Sequence, residues 1–489
     1  MIVRSEIPKE VLGVADALEN AGFEAYLIGG CVRDLLIGKT PKDWDITTNA
    51  RPEQITELFP ETYQNNDYGT VGVVNETEDE RLKVVEVTPY RLESGYSDAR
   101  RPDSVEFSDT LEDDLKRRDF TINAIAYRPN GEQLVDLFDG QKDIKDKRIR
   151  AVGEPEERFS EDALRMLRAI RLAVELDFLI EADTMTAISK NAPNLSRISK
   201  ERLRDELVRI LESKQPMQGI VFCQKLELLP YIAPDLLRGV GIEQNQAHKY
   251  DVYEHLLRTM QHGADKEWSF DIRLAGLFHD VSKPETRRWS DEKKDWTFHG
   301  HEVVGARVTK KALQELKFPR ETVERVTKLV RWHMFFSDPD KITLSAVRRM
   351  IRNVGEENIW DLLNLRICDR IGTGRPKEQP FRFRKYKAMV EEALRDPISV
   401  GMLEIDGEKI MELSGEKPGP KLGHTLHALL EEVLDDPKRN TKEYLEKRAL
   451  ELMVLPEKEL KNLGEQGRER REEEERGAVE EIQRKHHVS

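Results

Sequence analysis

Asp43 and Asp45, separated by a single tryptophan, precede the β-branched run Ile46-Thr47-Thr48. On an extended strand positions i and i+2 face the same side, so the two carboxylates would stand together, and such a pair repels unless a cation lies between them. Hard oxygen donors at that spacing suit Mg2+ bridging nucleotide phosphates. A third carboxylate is expected from a neighbouring strand, and Glu86 in Val84-Val85-Glu86-Val87-Thr88 is the candidate, with an outward-facing strand residue as its other reading. Three such groups support metal-assisted phosphoryl transfer, in which one ion activates an attacking hydroxyl and another stabilises a leaving pyrophosphate. Upstream, Leu27-Ile28-Gly29-Gly30-Cys31-Val32-Arg33-Asp34 sets two glycines between an apolar strand and a helix start. Backbone amides at Gly30 can approach a phosphate there and Arg33 can pair with it, although many strand–turn–helix junctions look alike.

The elements that must hold these residues are mixed α/β up to about residue 150. An amphipathic helix near 8–21 ends at Gly22, the run Ala25–Ile28 reads as a strand, and β-rich runs recur at Thr70–Val74, Leu82–Thr88 and Thr121–Tyr127. From about 156 the pattern is helical almost throughout; over 160–177 the apolar residues Ala163, Leu167, Ile170 and Val174 form one stripe. Five regions follow: 1–150, 151–240, a histidine-bearing block at 241–375, a helical region at 376–456, and a charged tail at 457–489 that reads as a solvated helix or as disordered. A length of 489 residues fits about three or four domains. The net charge of −14 argues against a generic nucleic-acid coat, while 79 Lys and Arg leave room for a locally basic groove. Apolar runs fall short of the roughly 18 residues a spanning helix needs, Met1–Gly13 lacks a secretory apolar core, and three scattered cysteines exclude a disulfide framework. A cytoplasmic protein without a membrane partner is expected.

Leu27–Asp34, Asp43-Trp44-Asp45, Arg117-Arg118-Asp119-Phe120-Thr121-Ile122-Asn123-Ala124 and Glu161-Asp162-Ala163-Leu164-Arg165, in this order, resemble the class II tRNA nucleotidyltransferase (CCA-adding enzyme) and bacterial poly(A) polymerase family. The resemblance implies an α+β chain: a polymerase-beta-like nucleotidyltransferase head with a mixed sheet, then an all-α neck, an HD body and a tail. It implies tRNA, ATP and CTP as partners and Mg2+ at Asp43 and Asp45, with a homodimer left open. Asp43, Asp45 and Glu86 would be catalytic, and Gly30, Arg33 and Arg118 would hold triphosphate and sugar.

In that family the Glu-Asp-x-x-Arg helix stands in for a template. Asp162 and Arg165, three positions apart, are expected on one helical face. A carboxylate accepts from an exocyclic amino group and a guanidinium donates to a ring acceptor. Cytosine and adenine offer that edge, whereas uracil and guanine present a carbonyl beside an N–H. Arg168 and Arg171 would extend the nucleotide site, reaching phosphates or buttressing the pair. Members that add only the two cytidines have a shortened version of the polar loop at Leu92–Asp109. Its full length here disfavours a CC-only enzyme and leaves full CCA addition and A-only addition open. The stretch Tyr68-Gly69-Thr70-Val71-Gly72-Val73 lacks the basic segment of the poly(A) polymerases.

His255, the doublet His279-Asp280 and Asp369 resemble the metal-ligand set of the HD phosphohydrolases, with His301 and His333 matching the extra histidines of two-metal members and His299 easily confused with His301. Imidazole with carboxylate suits Mn, Fe, Ni or Co. The doublet is expected on a helix over Asp271–Lys283. If active, this site would cleave a phosphomonoester or a 2′,3′-cyclic phosphate at an RNA end; if inactive, it is a structural body. Gly415–Gly423, with Lys417 and Lys421, resembles a tRNA-contacting loop.

Overall fold

The computed structural model describes residues 2–64, 69–94, 104–335 and 341–463, and divides into two compact units, Met1–Pro234 and Asp235–Ser489. In the first unit the strands that position the carboxylates are β1 (Tyr26–Ile28), β2 (Asp45–Thr48), β3 (Thr62–Gln64), β4 (Val71–Val74), β5 (Val84–Pro89), β6 (Arg91–Ser94), β7 (Ser104–Phe107), β8 (Ile125–Arg128) and β9 (Gln133–Asp136). Seven of them form one mixed sheet in the order β3-β4-β5-β2-β1-β8-β9. β2 and β5 run parallel, and the other neighbours are antiparallel.

The hydrophobic pattern explains how the sheet is held. Val85 and Val87 are fully buried while Glu86 between them faces the other side, the period-2 alternation of a strand. Leu27, Ile46, Val71, Val85, Val87 and Ile125 from five strands pack in one core with the Lys9–Asn20 helix, which buries Val11, Val14, Ala15 and Leu18. That helix stops where expected, at Gly22 with a φ of 90°. The expected run at Thr121–Tyr127 is only half strand: Thr121–Asn123 is a turn of 3-10 helix and β8 begins at Ile125.

Two helices, Pro155–Glu161 and Leu164–Leu176, replace the single one expected over 160–177. Asp162 sits in the break with extended dihedrals, and its Oδ1 accepts from the Leu164 amide at 3.0 Å. A short acidic side chain that caps the following helix in this way competes with helix continuation. The Leu164–Leu176 helix packs on the Lys200–Glu212 helix, where the buried pair Arg171–Glu206 closes at 2.8 Å.

In the second unit the Val252–Asp265 and Ile359–Gly372 helices pack together, and the His301–Glu315 helix packs on the Arg320–Trp332 helix. Further along, Arg349 of the Leu344–Val354 helix binds Glu431 at 2.9 Å and Asp435 at 2.6 Å on the Pro420–Asp435 helix. Of the charged tail, 464–489 lies outside the described residues, as do Tyr68 and the 95–103 tip of the polar loop. The loop's flanks, β6 and β7, pair with each other as an antiparallel ladder. Among the described residues no helix is long and apolar enough to cross a membrane.

Candidate active site and metal centre

Asp45 and Glu86 are partners in the parallel β2–β5 ladder. Asp43 lies outside β2 and is exposed, yet the Glu86 amide donates to the Trp44 carbonyl at 3.1 Å, so extended pairing reaches back to residue 44. The three carboxylates feel one another: burial first, then the Glu86 charge, with Asp43 adding to it, push the Asp45 carboxyl up to about 6. Asp45 is therefore a carboxylate held against its own neighbours, and oxygen donors so crowded fit a hard divalent cation.

Gly29 rather than Gly30 makes the close approach. Its φ is 78°, a conformation that favours glycine, and a Cβ there would lie 3.2 Å from an Arg118 nitrogen and 3.6 Å from Asp45 Oδ2. Arg118 is aimed by the fully buried Asp114, whose Oδ2 accepts from it at 3.0 Å, and Arg117 binds the other oxygen of that carboxylate. Arg33 donates to the Asn123 side-chain oxygen at 2.8 Å, Asn123 donates to Asp119 at 3.2 Å, and Asp119 accepts from Arg168 at 2.8 and 2.9 Å. Although burial raises the Asp119 carboxyl, the Arg168 guanidinium holds it well below the usual carboxylate range. Arg33 and Arg168 are thus the two ends of one polar chain joining the head to the first neck helices.

Asp162 and Arg165 do not share a helical face as expected, because the helix breaks between them. Asp162 is held by Arg202 at 2.7 and 3.3 Å. Arg165 donates to Glu161 at 2.6 Å, to the Arg158 carbonyl at 3.3 Å and to the Arg117 carbonyl at 3.1 Å. Arg171 is buried against Glu206 and Glu175, the place of a buttress. Of Gly29, Asp114 and Arg202, the sequence reading had only the first, as one of the two glycines at the strand–helix junction. The i,i+3 and i,i+4 spacing of Asp114 to Arg117 and Arg118 was a readable signal for the second, while Arg202 carried none.

In the second unit His255, His279, Asp280 and Asp369 offer ligand atoms within 4.8 Å of one another, and Asp280, His301 and His333 form an adjoining set. His299 is exposed and stands apart from them. The His255 Nε2 lies 3.0 Å from that of His279, 3.1 Å from Asp280 Oδ2 and 3.4 Å from Asp369 Oδ1. On the other side, Asp280 Oδ1 lies 3.1 Å from the His301 Nε2 and 3.4 Å from the His333 Nε2.

Backbone carbonyls fix the imidazoles. Nδ1 of His279 meets the Gly276 carbonyl at 2.9 Å, that of His301 the Phe298 carbonyl at 2.6 Å, and that of His333 the Val330 carbonyl at 2.7 Å. A carbonyl only accepts, so each Nδ1 carries a proton and each ring turns its Nε2 inward, towards the other ligand atoms. Asp280 Oδ1, facing two of them, is buried without a hydrogen-bond donor. Inward-facing imidazole nitrogens around an orphaned carboxylate oxygen are a fit for cations, with Asp280 between the two sets.

The doublet follows the Phe270–Phe278 helix instead of lying within it: His279 is the cap residue and a new helix starts at Lys283. Pro284 cannot donate into a continuing ladder and sits in the first turn of the second helix. Across the turn between the two helices Lys283 Nζ lies 2.5 Å from Asp280 Oδ2.

Comparison with known proteins covers both units of the chain. Residues 25–150 match the family described as poly A polymerase head domain, 177–238 the probable RNA and SrmB-binding site of polymerase A, and 252–371 the HD domain. The CCA-adding enzyme of Ligilactobacillus salivarius is 33% identical over 452 residues, 91% of this chain and 96% of the relative. That of Lactobacillus helveticus is 35% identical over 446 residues, covering 90% and 96%. The crystal structure of the Bacillus stearothermophilus CCA-adding enzyme in complex with CTP is 27% identical and superimposes with a TM-score of 0.64 over 91% of this chain and 96% of that one. With an α+β head, an HD domain and relatives aligned over nearly their whole length, the chain belongs to the CCA-adding enzyme family and is a nucleotidyltransferase.

Proposed function

We propose that the protein extends the 3′ end of tRNA without a template, adding C, C and A from CTP and ATP. The observation that carries this is the junction of two sites: Arg118 stands beside Asp45, while the adjoining Arg117 and Asp119 bind the neck arginines Arg165 and Arg168. Asp43, Asp45 and Glu86 would hold Mg2+. When bound, Mg2+ assists ionisation of the attacking 3′ hydroxyl and neutralises the departing pyrophosphate as the α-phosphorus changes partners. Arg33 and Arg118 bind triphosphate oxygens, and Asp162 with Arg165 reads the base edge. The test offers purified protein tRNA transcripts ending at the discriminator base, after the first C and after the second C, each with one labelled nucleotide. Growth of the shortest by C, C and A is the expected result. Labelling of the CC-ended tRNA alone, by ATP, makes this an A-adding enzyme that works beside a CC-adding one.

The carboxyl of Asp45 adds a pH dependence. Raised to about 6, it is protonated below that value and ionised above it, so a cation must compete with a proton on the acid side. The Mg2+ concentration for half-maximal incorporation is expected to be flat above that value and to climb below it by up to about tenfold per pH unit, the limit for one competing proton. A requirement that stays flat on both sides would detach Asp45 from the cation.

We further propose that the HD site is a two-metal phosphohydrolase centre for RNA ends, filled by Mn, Fe, Ni or Co. His255, His279 and Asp369 would hold one ion, His301 and His333 a second, and Asp280 both. Bound ions of this type supply a nucleophilic water near neutral pH. The variant His301→Ala with His333→Ala is expected to bind about half as much metal per chain by elemental analysis and to retain incorporation. Unchanged metal content would remove the second subsite. His279→Ala with Asp280→Ala is expected to abolish hydrolysis of a cyclic phosphate and to spare incorporation; loss of both would make this domain structural for the whole chain.

A further inference from the structure

A short hairpin, Arg288–Ser290 paired with Asp295–Thr297, interrupts the HD helices between Lys283 and His301. Isolated two-stranded hairpins are marginal in water, so what fastens this one is informative. At its entry, Lys283 touches Asp280 at 2.5 Å and donates to Gln244 at 2.7 Å. At its exit, Phe298 lies under Lys283, and its carbonyl orients His301. From within, Asp295 Oδ2 accepts the Gln246 amide at 3.1 Å. Both ends of the hairpin are therefore built into the wall of the metal centre.

Trp289 and Trp296 are cross-strand partners, with ring centroids 5.2 Å apart and planes at 77°. Arg287, two residues before Trp289 and so on the same side, lays its guanidinium 3.5 Å from the Trp296 centroid. Trp289 remains 52% exposed. An edge contact between indoles is enough to steady a hairpin. It does not require leaving half of the largest apolar side chain in water, on a hairpin whose two ends lead into residues of the metal centre.

We propose that this face is a stacking platform for the terminal base of a single-stranded RNA end, seating it so that its phosphate enters the HD centre. The inference rests on the HD site being a phosphoester site. Every base has a π-face, so the exposed indole of Trp289, with Arg287 on its cross-strand partner Trp296, takes any of the four. The guanidinium also answers the charge of the RNA backbone, which favours a nucleotide over an apolar protein segment. Arg287 and Trp289 are positioning and binding residues here, and the metal ligands remain the reacting groups.

The test uses the full-length, Mn2+-loaded protein and a trinucleotide ending in a 2′,3′-cyclic phosphate, beside the same molecule with an abasic terminal residue. Wild type is expected to show a KM about tenfold lower for the intact end, the scale of one base stack. Trp289→Leu keeps an apolar cross-strand contact but no flat ring; it is expected to lose that preference, so that its KM values for the intact and abasic ends become equal. Trp289→Phe is expected to restore most of it. Equal preference in wild type and Trp289→Leu overturns the platform. If wild type hydrolyses neither end, the phosphohydrolase reading fails, and the platform is then decided by binding alone. Quenching of tryptophan fluorescence by the intact trinucleotide, with an affinity that Trp289→Leu weakens about tenfold, supports it. Equal affinity for intact and abasic ends overturns it.

Discussion

Replacing Asp45 by asparagine is expected to lower nucleotide incorporation by about 10³-fold or more, several kcal/mol of transition-state stabilisation for a metal-holding carboxylate. The shape of the side chain is kept, and only the charge that holds the cation is removed. The fold should not suffer. Asp45 titrates above its ordinary value in the folded chain because burial and Glu86 oppose its charge. A carboxyl whose pKa is raised on folding costs stability above that pKa, where it is ionised, and the cost is relieved as pH falls towards the unfolded value. At neutral pH the Asp45→Asn variant should therefore unfold at the same temperature as wild type or a higher one, and bind tRNA within a few fold. Single-turnover incorporation and thermal unfolding, measured on one preparation, separate the two effects. Incorporation within tenfold of wild type would remove Asp45 from the metal site, and a large drop in melting temperature would mean that the carboxylate is structural. The pairing of lost activity with undiminished stability is what distinguishes a group strained for function from one that merely packs.

The chemistry of the head was readable because its residues are close in sequence or obey a strand's period. Asp43 and Asp45 are two apart, and Glu86 stands out as the one charge in an apolar strand. What could not be read is which strands are neighbours. The parallel pairing of β2 with β5 crosses β3 and β4, and local periodicity carries no information on such long-range register. The neck failed for a different reason. The stripe from Ala163 to Val174 is a real helical signal, and it masked the stop at Asp162, where one side chain caps the next helix. Aspartate favours caps over helix interiors, but a single such residue within an apolar period does not outweigh the period. The helix expected up to Lys283 stops at Phe278 instead, and the short helix that follows begins at Lys283.

The side chains that cluster at the HD site were legible by type and order. Their division into two sets sharing Asp280 was not, since it depends on carbonyls of Gly276, Phe298 and Val330 that carry no side-chain signature. Arg202 is the most consequential residue absent from the sequence reading. It lies 40 positions from its partner, and its spacing to Asp162 is set entirely by how the Lys200–Glu212 helix docks on the neck.

Arg202 sharpens the second large prediction, which concerns the choice of base. A site built to hydrogen-bond one edge can reject a mismatched one by about 10⁴-fold, because its own polar groups are left unpaired. In the function proposed above, Asp162 accepts and Arg165 donates when cytosine or adenine is taken. Arg165→Ala removes the donor to the ring nitrogen and, with it, the clash against the N–H of uracil and guanine. Discrimination against UTP and GTP is expected to fall by about 10²-fold or more, with incorporation of CTP also reduced, as judged by kcat/KM for each nucleotide. Asp162→Asn acts on the other half of the edge: an amide can turn either a donor or an acceptor outward, so it admits a carbonyl that the carboxylate repels. Arg202→Lys leaves both readers in place and replaces a two-pronged grip by a point charge. It should cost about tenfold in discrimination, through a looser Asp162, while leaving the rate with saturating CTP nearly intact. Unaltered selectivity in Arg165→Ala would take base choice away from the neck. Full selectivity in Arg202→Lys together with relaxed selectivity in Arg165→Ala would mean that the carboxylate is oriented by the incoming base itself, and that Arg202 only fastens the two helices.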